Sequence, residues 1–337
     1  MKSLSKTRSS ISVPKIIIMK KIFFILALFA LFGQTASAGT EEDSIYNPFR
    51  NYNLFFGEDC DACGCSANGG SMGFSSMLNN NFVGIRYFHQ SYKSRDGVFN
   101  NSPWIDENFN TAQVWTRIPL GKRIEVMGLI PYHFNNREKA TGKEDINGLG
   151  DITVMGFYTL FGTRTDSATV FHKFQLGAGL KAPTGKYDSA NNGSVNPSFQ
   201  LGTGSWDYML ATEYTVKRKN LGLNAILNYI FKTENEKKYQ FGNQFNYAAT
   251  LFYNAKIENL NVVPQLGLAG EKYEDNKDHG EKVPLTAGDI LFGKMGVEIG
   301  LQKWALGLST MLPINQNLTG GRVEANYRWS LNLNYSL

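Results

Sequence analysis

The sequence predicts an all-β protein, namely a transmembrane, antiparallel, up-and-down β-barrel of about twelve strands that follows a cleaved signal peptide. Three observations predict this fold class. The N-terminus has the pattern of an export signal, an alternation of apolar and polar residues runs to the last residue, and the connections between predicted strands alternate between short and long.

The export signal begins at Met19. Lys20 and Lys21 precede an apolar run over residues 22–32, and Ala36-Ser37-Ala38 supplies the small residues of a cleavage site. The run has 11 residues, whereas a membrane-spanning helix needs about 20. Cleavage is therefore favoured over a retained anchor, and we assign residues 1–38 to an N-terminal extension and signal peptide.

Removing the signal changes the charge of the chain. The whole sequence has 34 Lys and Arg, 29 Asp and Glu, and a net charge of +5. Six of the basic residues and none of the acidic ones lie in residues 1–38, so the mature chain has 28 basic and 29 acidic residues. The basicity is that of an export signal, and a nucleic-acid-binding surface is not supported.

The C-terminal stretch shows the two-residue period most clearly. Odd positions from Val323 to Leu337 are all apolar, and even positions from Glu324 to Ser336 are all polar. Successive side chains of a strand point to opposite faces, so this stretch has one apolar and one polar face. The same alternation predicts strands near residues 82–92, 111–120, 123–134, 149–161, 170–182, 205–217, 221–232, 241–253, 258–271, 289–301, 303–314 and 322–337.

The predicted connections support a barrel in a membrane. The second, sixth, eighth and tenth are short, whereas the first, third, fifth and ninth, near residues 93–110, 135–148, 183–204 and 272–288, are long and polar. Outer-membrane barrels have short periplasmic turns and long external loops. Twelve strands then place both termini in the periplasm, although ten or fourteen strands remain open. Residues 81–337 are assigned to this barrel in the cell outer membrane, and Pro264 inside the ninth strand is unexplained.

Three glycine-rich stretches carry a family resemblance. They are residues 148–153 (GLGDIT), 176–185 (LGAGLKAPTG) and 201–208 (LGTGSWDY). In order and spacing they resemble the outer-membrane transporter family named after the meta-cleavage pathway of phenol degradation. The resemblance implies a barrel that moves small, in part apolar, solutes.

Charged residues share the polar face of the predicted strands, and charges do not face lipid cheaply. We therefore expect a set of lumen-lining residues: Arg86, Arg117, Glu125, Lys181, Asp207, Glu213, Lys294, Glu298 and Arg328, together with Arg123, Asp151, Lys173 and Glu324. These charges either line a polar pathway or pair across a filled lumen. The near balance of the two signs favours pairing, since a strongly ion-selective pore has one dominant sign.

The stretch before the first strand, residues 39–80, is rich in Gly, Ser and Asn and contains Cys60, Cys63 and Cys65. Three thiols in six residues could hold a soft metal ion, copper or zinc. A disulfide formed in the oxidising periplasm is the alternative, and redox or cross-linking use is a third. The segment itself could plug the lumen or lie below it.

An enzyme is not expected. His89-Gln90-Ser91 faintly resembles the His-x-Ser of outer-membrane phospholipase, but no Asn that would orient the histidine is evident from the sequence. The function that we expect is a channel or transporter barrel for small solutes, whose partners are lipid, the solute and, during biogenesis, the barrel-assembly machinery. The alternative is a non-transporting barrel whose cysteine segment binds a soft metal ion or a partner.

Overall fold

The computed structural model describes residues 76–78, 81–95, 102–139, 142–163, 170–187 and 199–337. Twelve strands form the barrel, two of them in two segments: β1 (Phe82–Arg95), β2 (Trp104–Pro119), β3 (Ile124–Lys139), β4 (Gly142–Leu149 and Ile152–Gly162), β5 (Phe171–Ala182), β6 (Asp207–Arg218), β7 (Leu221–Lys232), β8 (Gln244–Tyr253 and Ala255–Ile257), β9 (Leu260–Tyr273), β10 (Gly288–Leu301), β11 (Trp304–Leu318) and β12 (Val323–Ser336).

Each strand pairs with its neighbours in the sequence, and the antiparallel pairing of β1 with β12 closes the sheet. Outward-facing side chains of the first and last strands lie opposite each other, as in the cross-strand pairs Val83 with Tyr335 and Ile85 with Leu333. Closure leaves no sheet edge, which is what a membrane requires because lipid offers no hydrogen-bond partner to the backbone. The predicted antiparallel barrel and the count of twelve strands are confirmed, whereas the predicted signal peptide, residues 1–38, lies outside the described residues.

Exposure alternates along the strands as the sequence predicts. In β6 the odd positions are buried, whereas Tyr208 and Leu210 are exposed. Exposed large apolar side chains occur on all twelve strands, so the outer surface is an apolar band. Such a band is the lipid-facing surface of an outer-membrane barrel. No helix among the described residues has the length and apolarity of a membrane-spanning helix.

The two ends of the barrel differ. The connections 120–123, 219–220, 258–259 and 302–303 lie at the end that also carries Phe82 and Ser336, which we call the short-turn end. The described residues 183–187 and 199–206 and the connections 233–243 and 274–287 lie at the opposite, long-loop end. There Tyr239–Gln240, Lys277–Asp278 and Glu281–Lys282 form a small separate sheet.

The third connection differs from the prediction. Instead of a long loop over residues 135–148, β3 continues to Lys139 and β4 begins at Gly142. This hairpin extends beyond the apolar band, so it needs no apolar face and the two-residue period of hydrophobicity disappears there. Ion pairs link its strands instead, including Arg137 Nε to Glu144 Oε2 at 2.8 Å.

The alternation of β12 is also not continuous. Ser91 pairs with Tyr327 and Tyr92 pairs with Ala325, so Asn326 is an extra residue in a β-bulge. A bulge shifts the faces by one residue. Ala325 is consequently buried and Glu324 exposed, the reverse of the prediction for these two positions.

The neighbouring strand β8 explains why β9 can contain Pro264. The pairing of β8 with β9 is interrupted between Phe252–Gln265 and Ala255–Val262. On the opposite edge of β8, the ladder to β7 continues without a break, and the backbone N–H of Asn254 donates to the carbonyl of Asn220 at 2.8 Å. Pro264, which has no N–H to donate, therefore faces a stretch of β8 that makes no ladder bond to it.

The lipid-facing surface gives a depth-dependent prediction. Leu331 is exposed and lies midway along β12 between the exposed aromatic residues Tyr327 and Tyr335. Leu331→Arg should lower the free energy of unfolding by roughly 2–4 kcal/mol, since a charge at the midplane must leave water. Leu120→Arg, in a turn at the short-turn end, should cost at most about 1 kcal/mol. Urea titrations in phospholipid vesicles measure both, and equal costs would contradict a membrane-embedded surface.

Candidate functional site: the charged lumen

The buried polar side chains of the barrel meet in its interior. Arg117 on β2 is fully buried, and its guanidinium lies 2.7 Å from Glu125 Oε2 on β3 and 3.4 Å from Glu213 Oε2 on β6. Three strands separate β2 from β6 in the barrel. An ion pair between strands that are not neighbours must cross the interior, so these side chains lie in the lumen.

Further groups complete this cluster. Arg117 Nη2 donates to Gln175 Oε1 at 2.8 Å, and Lys173 Nζ lies 3.0 Å from Glu125 Oε1. The guanidinium of Arg117 also lies 4.9 Å from the centre of the Phe157 ring. Buried charges are tolerated when they are paired and hydrogen-bonded in this way. The cluster links β2, β3, β5 and β6 across one half of the lumen near the short-turn end.

A second ion pair crosses the other half of the lumen. Arg328 Nη1 on β12 lies 2.6 Å from Glu271 Oε1 on β9, and Nη2 donates to Glu271 Oε2 at 3.0 Å. The Tyr92 hydroxyl accepts a hydrogen bond from the same guanidinium, which lies 4.2 Å from the Phe292 ring centre. The two parallel bonds give the bidentate geometry that makes arginine–carboxylate pairs strong. Sequence reasoning missed Glu271, although it has the inward phase of Gln265 on the same strand.

The third cluster lies at the long-loop end. Lys181 Nζ lies 2.6 Å from Asp207 Oδ2 and 3.0 Å from Asp151 Oδ2. Asp151 also accepts hydrogen bonds from the backbone N–H of Thr203 at 2.9 Å and of Gly185 at 3.0 Å. Thr203 and Gly185 belong to the fifth connection, so this carboxylate holds the connection against the barrel. A Cβ on Gly202 would lie 2.5 Å from Asp151 Oδ1, which only glycine avoids.

The same connection enters the lumen. Phe199, Gln200, Leu201, Thr203 and Ser205 are buried. The ring of Phe199 lies 5.9 Å from that of Phe109 and 4.2 Å from the guanidinium carbon of Arg137. Residues 199–205 therefore narrow the lumen at the long-loop end.

At the other end, residues 76–78 lie inside the barrel. Glu298 on β10 accepts hydrogen bonds from the backbone N–H of Met77 at 2.9 Å and of Leu78 at 3.0 Å, and from the Ser76 hydroxyl at 3.0 Å. Met77 and Leu78 pack in an apolar cluster with Phe252, Val263 and Ala305. One carboxylate thus fixes the chain that leads into β1 against the inner wall.

The remaining residues of the expected set are placed as follows. Arg86 is buried, with its guanidinium 4.5 Å from the Trp115 ring centre and a hydrogen bond to Gln113. Lys294 is buried and donates to Thr250 Oγ1 at 3.2 Å. Arg123 and Glu324 are exposed and do not join the clusters: Arg123 lies in a short turn, where it donates to the Tyr158 hydroxyl at 3.2 Å.

Cys60, Cys63 and Cys65 lie outside the described residues, so their role as ligands of copper or zinc stays a prediction. Within the described residues, no group of three or more His, Cys, Asp or Glu side chains could hold a metal ion.

The structure supplies a partner for His89 that the sequence did not reveal. The Oδ1 atom of Asn110, on β2, lies 2.8 Å from the Nδ1 atom of His89. In the described part of the chain, however, no hydrogen bond joins His89 to Ser91, whose hydroxyl accepts from Asn326 Nδ2 at 3.1 Å. A serine nucleophile needs a base within hydrogen-bond reach, so the arrangement contains the orienting contact but not the activating one.

The fold and the lumen define the class of this protein: it is an outer-membrane β-barrel with a charge-paired interior that the chain itself narrows at both ends. The chain matches the family described as "Putative MetA-pathway of phenol degradation" over residues 104–334, and it belongs to that family. No curated protein matches the chain significantly.

Solved structures are similar to this chain, and the first of them shows the same fold. The crystal structure of an outer membrane channel from Pseudomonas putida F1 is similar with a TM-score of 0.58 at 15% identity, covering 78% of this chain and 97% of that one. The β domain of the Bordetella autotransporter BrkA gives a TM-score of 0.45 at 11% identity, covering 77% and 100% of the two chains. The NalP translocator domain from Neisseria meningitidis gives 0.42 at 9% identity, covering 76% and 88%.

The paired charges predict an asymmetric response to mutation. Arg328→Met should lower the free energy of unfolding by about 3–5 kcal/mol, because Glu271 then remains buried without its partner. Adding Glu271→Gln should recover much of that loss, since no uncompensated charge is left. Urea unfolding of the two variants and the parent in vesicles compares them. A double variant that is less stable than Arg328→Met would show that the pair does not behave as one unit.

Proposed function

We propose that this protein is an outer-membrane channel or transporter for small solutes of at least partly apolar character. The family membership and the channel fold support the proposal, but the observation that carries it is the lumen. Polar side chains line the lumen from one end of the barrel to the other. Two segments of the chain, residues 76–78 and 199–205, narrow the lumen. A barrel that served only as an anchor would need neither segment inside it.

The charges inside the lumen suit neutral solutes. Arg117, Lys181 and Arg328 each have carboxylate partners within 3.5 Å. A pore selective for one sign of ion presents unpaired charges of the other sign. Paired charges instead give a polar but electrically balanced wall, which favours small uncharged molecules.

The apolar part of the lumen also supports a small uncharged solute. Phe292, Met311, Leu318, Val323 and Ala325 form a buried cluster in the half nearer the long-loop end. Ligand sites combine such apolar walls with a few placed polar groups. The wall therefore matches a solute that is largely apolar and carries a small polar part.

We further propose that both termini lie in the periplasm and that the long loops face outside, as in other outer-membrane barrels. The outer-membrane lipid and the solute are then the standing partners. The barrel-assembly machinery would act on the chain only while it is being inserted, since closure of the sheet must take place in the membrane.

The segment at Glu298 gives the first functional test. Glu298→Gln replaces charge-assisted hydrogen bonds by weaker neutral ones, so residues 76–78 should leave the lumen more often. The rate of liposome swelling with a small neutral sugar should rise severalfold over that of the parent. Glu258→Gln, exposed in a short turn, is the control and should behave as the parent does. Swelling that is equal in all three proteins would contradict a gating role for this segment.

The orientation gives a separate test. In a background in which the three native cysteines are replaced by serine, Glu236→Cys lies in a long-loop connection and Lys219→Cys in a short turn, and both positions are exposed. A membrane-impermeant maleimide should label position 236 on intact cells, and label position 219 only after the outer membrane is permeabilised. The reverse pattern would invert the proposed topology.

A further inference from the structure

One strip of the lumen wall carries buried polar atoms that make no hydrogen bond. The strip runs along β12 from the short-turn end and crosses β1 to β2. Within the described part of the chain, hydrogen-bond partners are missing for Oδ1 and Nδ2 of Asn334, Oδ1 of Asn332, the hydroxyl of Ser330 and the indole Nε1 of Trp115. These four side chains, which we call the amide strip, are at most 3% exposed. Because an unpaired buried polar atom lowers stability, a molecule in the lumen that bonds to the strip would remove that cost.

A glycine brings two residues of the strip together. Gly84 on β1 pairs with Asn334 on one side and with Trp115 on the other. A Cβ at this position would collide with Asn334 Oδ1 and would lie 2.8 Å from Trp115 Nε1, so both atoms lie directly over the glycine. The indole N–H is a donor only, whereas the amide of Asn334 is both a donor and an acceptor. One small polar group beside Gly84 can therefore reach donors and an acceptor at once.

Small residues border the strip on the side of β11. The residues of β11 that pair with the three strip residues of β12 are Ala305, Gly307 and Ser309. Alternate residues of a strand are about 7 Å apart, because each residue advances the chain by ~3.4 Å. No bulky side chain of β11 therefore separates the spaced polar atoms of the strip from a molecule that lies along β12.

Apolar groups flank the strip on both sides near the short-turn end. The rings of Trp115 and Phe82 lie 4.4 Å apart and belong to one apolar cluster. Ala305 packs with the segment 76–78, which Glu298 holds, in another. Ligand sites combine such apolar walls with a few placed polar groups. The segment 76–78 also lies next to the strip, so its departure from the lumen would open the strip to solutes.

We propose that the amide strip is the binding site for the polar end of the transported solute, and that this end is a carboxamide on a small apolar body. This inference rests on the proposed transport function and specifies its binding site and substrate class. A carboxamide presents an N–H and a C=O side by side, which matches the unpaired Oδ1 and Nδ2 of Asn334 and leaves the C=O able to accept from Trp115 as well. A charged group would lose its hydration, and the unpaired atoms of the strip have no charge to replace it.

Calorimetric titration of the purified full-length barrel in detergent micelles tests the chemistry of the ligand. Hexanamide is the probe, and its isomer N,N-dimethylbutanamide, which has the C=O but no N–H, is the matched control. Micelles without protein give the background. The barrel should bind hexanamide severalfold more tightly than the isomer, because only hexanamide can donate to the strip. Equal affinities for the two isomers, or tighter binding of hexanoate than of hexanamide, would contradict the site.

Variants place the binding on the strip. Asn334→Leu removes the amide at nearly constant volume and should abolish the preference for hexanamide. Asn246→Leu is its control, because the buried amide of Asn246 is already paired: it donates to Asn228 Oδ1 at 3.1 Å and accepts from Gln244 Nε2 at 2.6 Å. This control should keep the preference. Trp115→Phe removes the N–H, keeps a ring and should weaken hexanamide binding severalfold, which tests the site even if Asn334→Leu does not fold.

Unfolding in urea supplies a readout that does not depend on a ligand. Asn334→Leu should leave the urea midpoint unchanged or raise it, since no hydrogen bond is lost, whereas Asn246→Leu should lower it. Equal losses in the two variants would show that Asn334 is paired within the protein and would overturn the site. Failure of the transport function is distinguishable: a parent barrel that binds hexanamide but gives no liposome swelling with a neutral sugar would overturn the channel and leave the binding site.

Discussion

The structure depends on one constraint: in lipid, every backbone N–H and C=O must find its partner within the protein. The constraint forces the sheet to close, which it does through β1 and β12. It also bears on the departures from regular pairing. At the interruption between β8 and β9, Pro264 has no N–H that needs a partner, and between β11 and β12 the amide of Gln316 bonds to both backbone groups of Ala325.

Closure then fixes where charge can lie. With an apolar surface outside, charged side chains of the spanning strands must point inward, where desolvation makes an unpaired charge costly. The barrel meets this cost with pairs that cross the lumen, from Arg117 to Glu213 and from Arg328 to Glu271. These pairs tie distant strands together, so the interaction that balances the charge also braces the barrel.

Two other carboxylates hold the segments that narrow the lumen. Asp151 holds the fifth connection at the long-loop end through Thr203 and Gly185, and Glu298 holds residues 76–78 near the other end. Both use backbone N–H groups as donors. Each segment is thus attached to the barrel wall through a few hydrogen bonds.

The sequence by itself predicted the period of the strands, a count of about twelve and the inward phase of charges such as Arg86, Lys181 and Arg328, because side-chain alternation is a local property of the backbone. It could not predict the bulge at Asn326, which exchanges the faces of Glu324 and Ala325, nor the strands beyond the apolar band, where no alternation is needed. Only the tertiary structure decided that Glu271 meets Arg328, that Asn110 meets His89 and that residues 76–78 reach Glu298, 220 or more residues away in the sequence. Such contacts depend on the closure of the barrel and on the register of its strands. A single sequence shows neither of these directly.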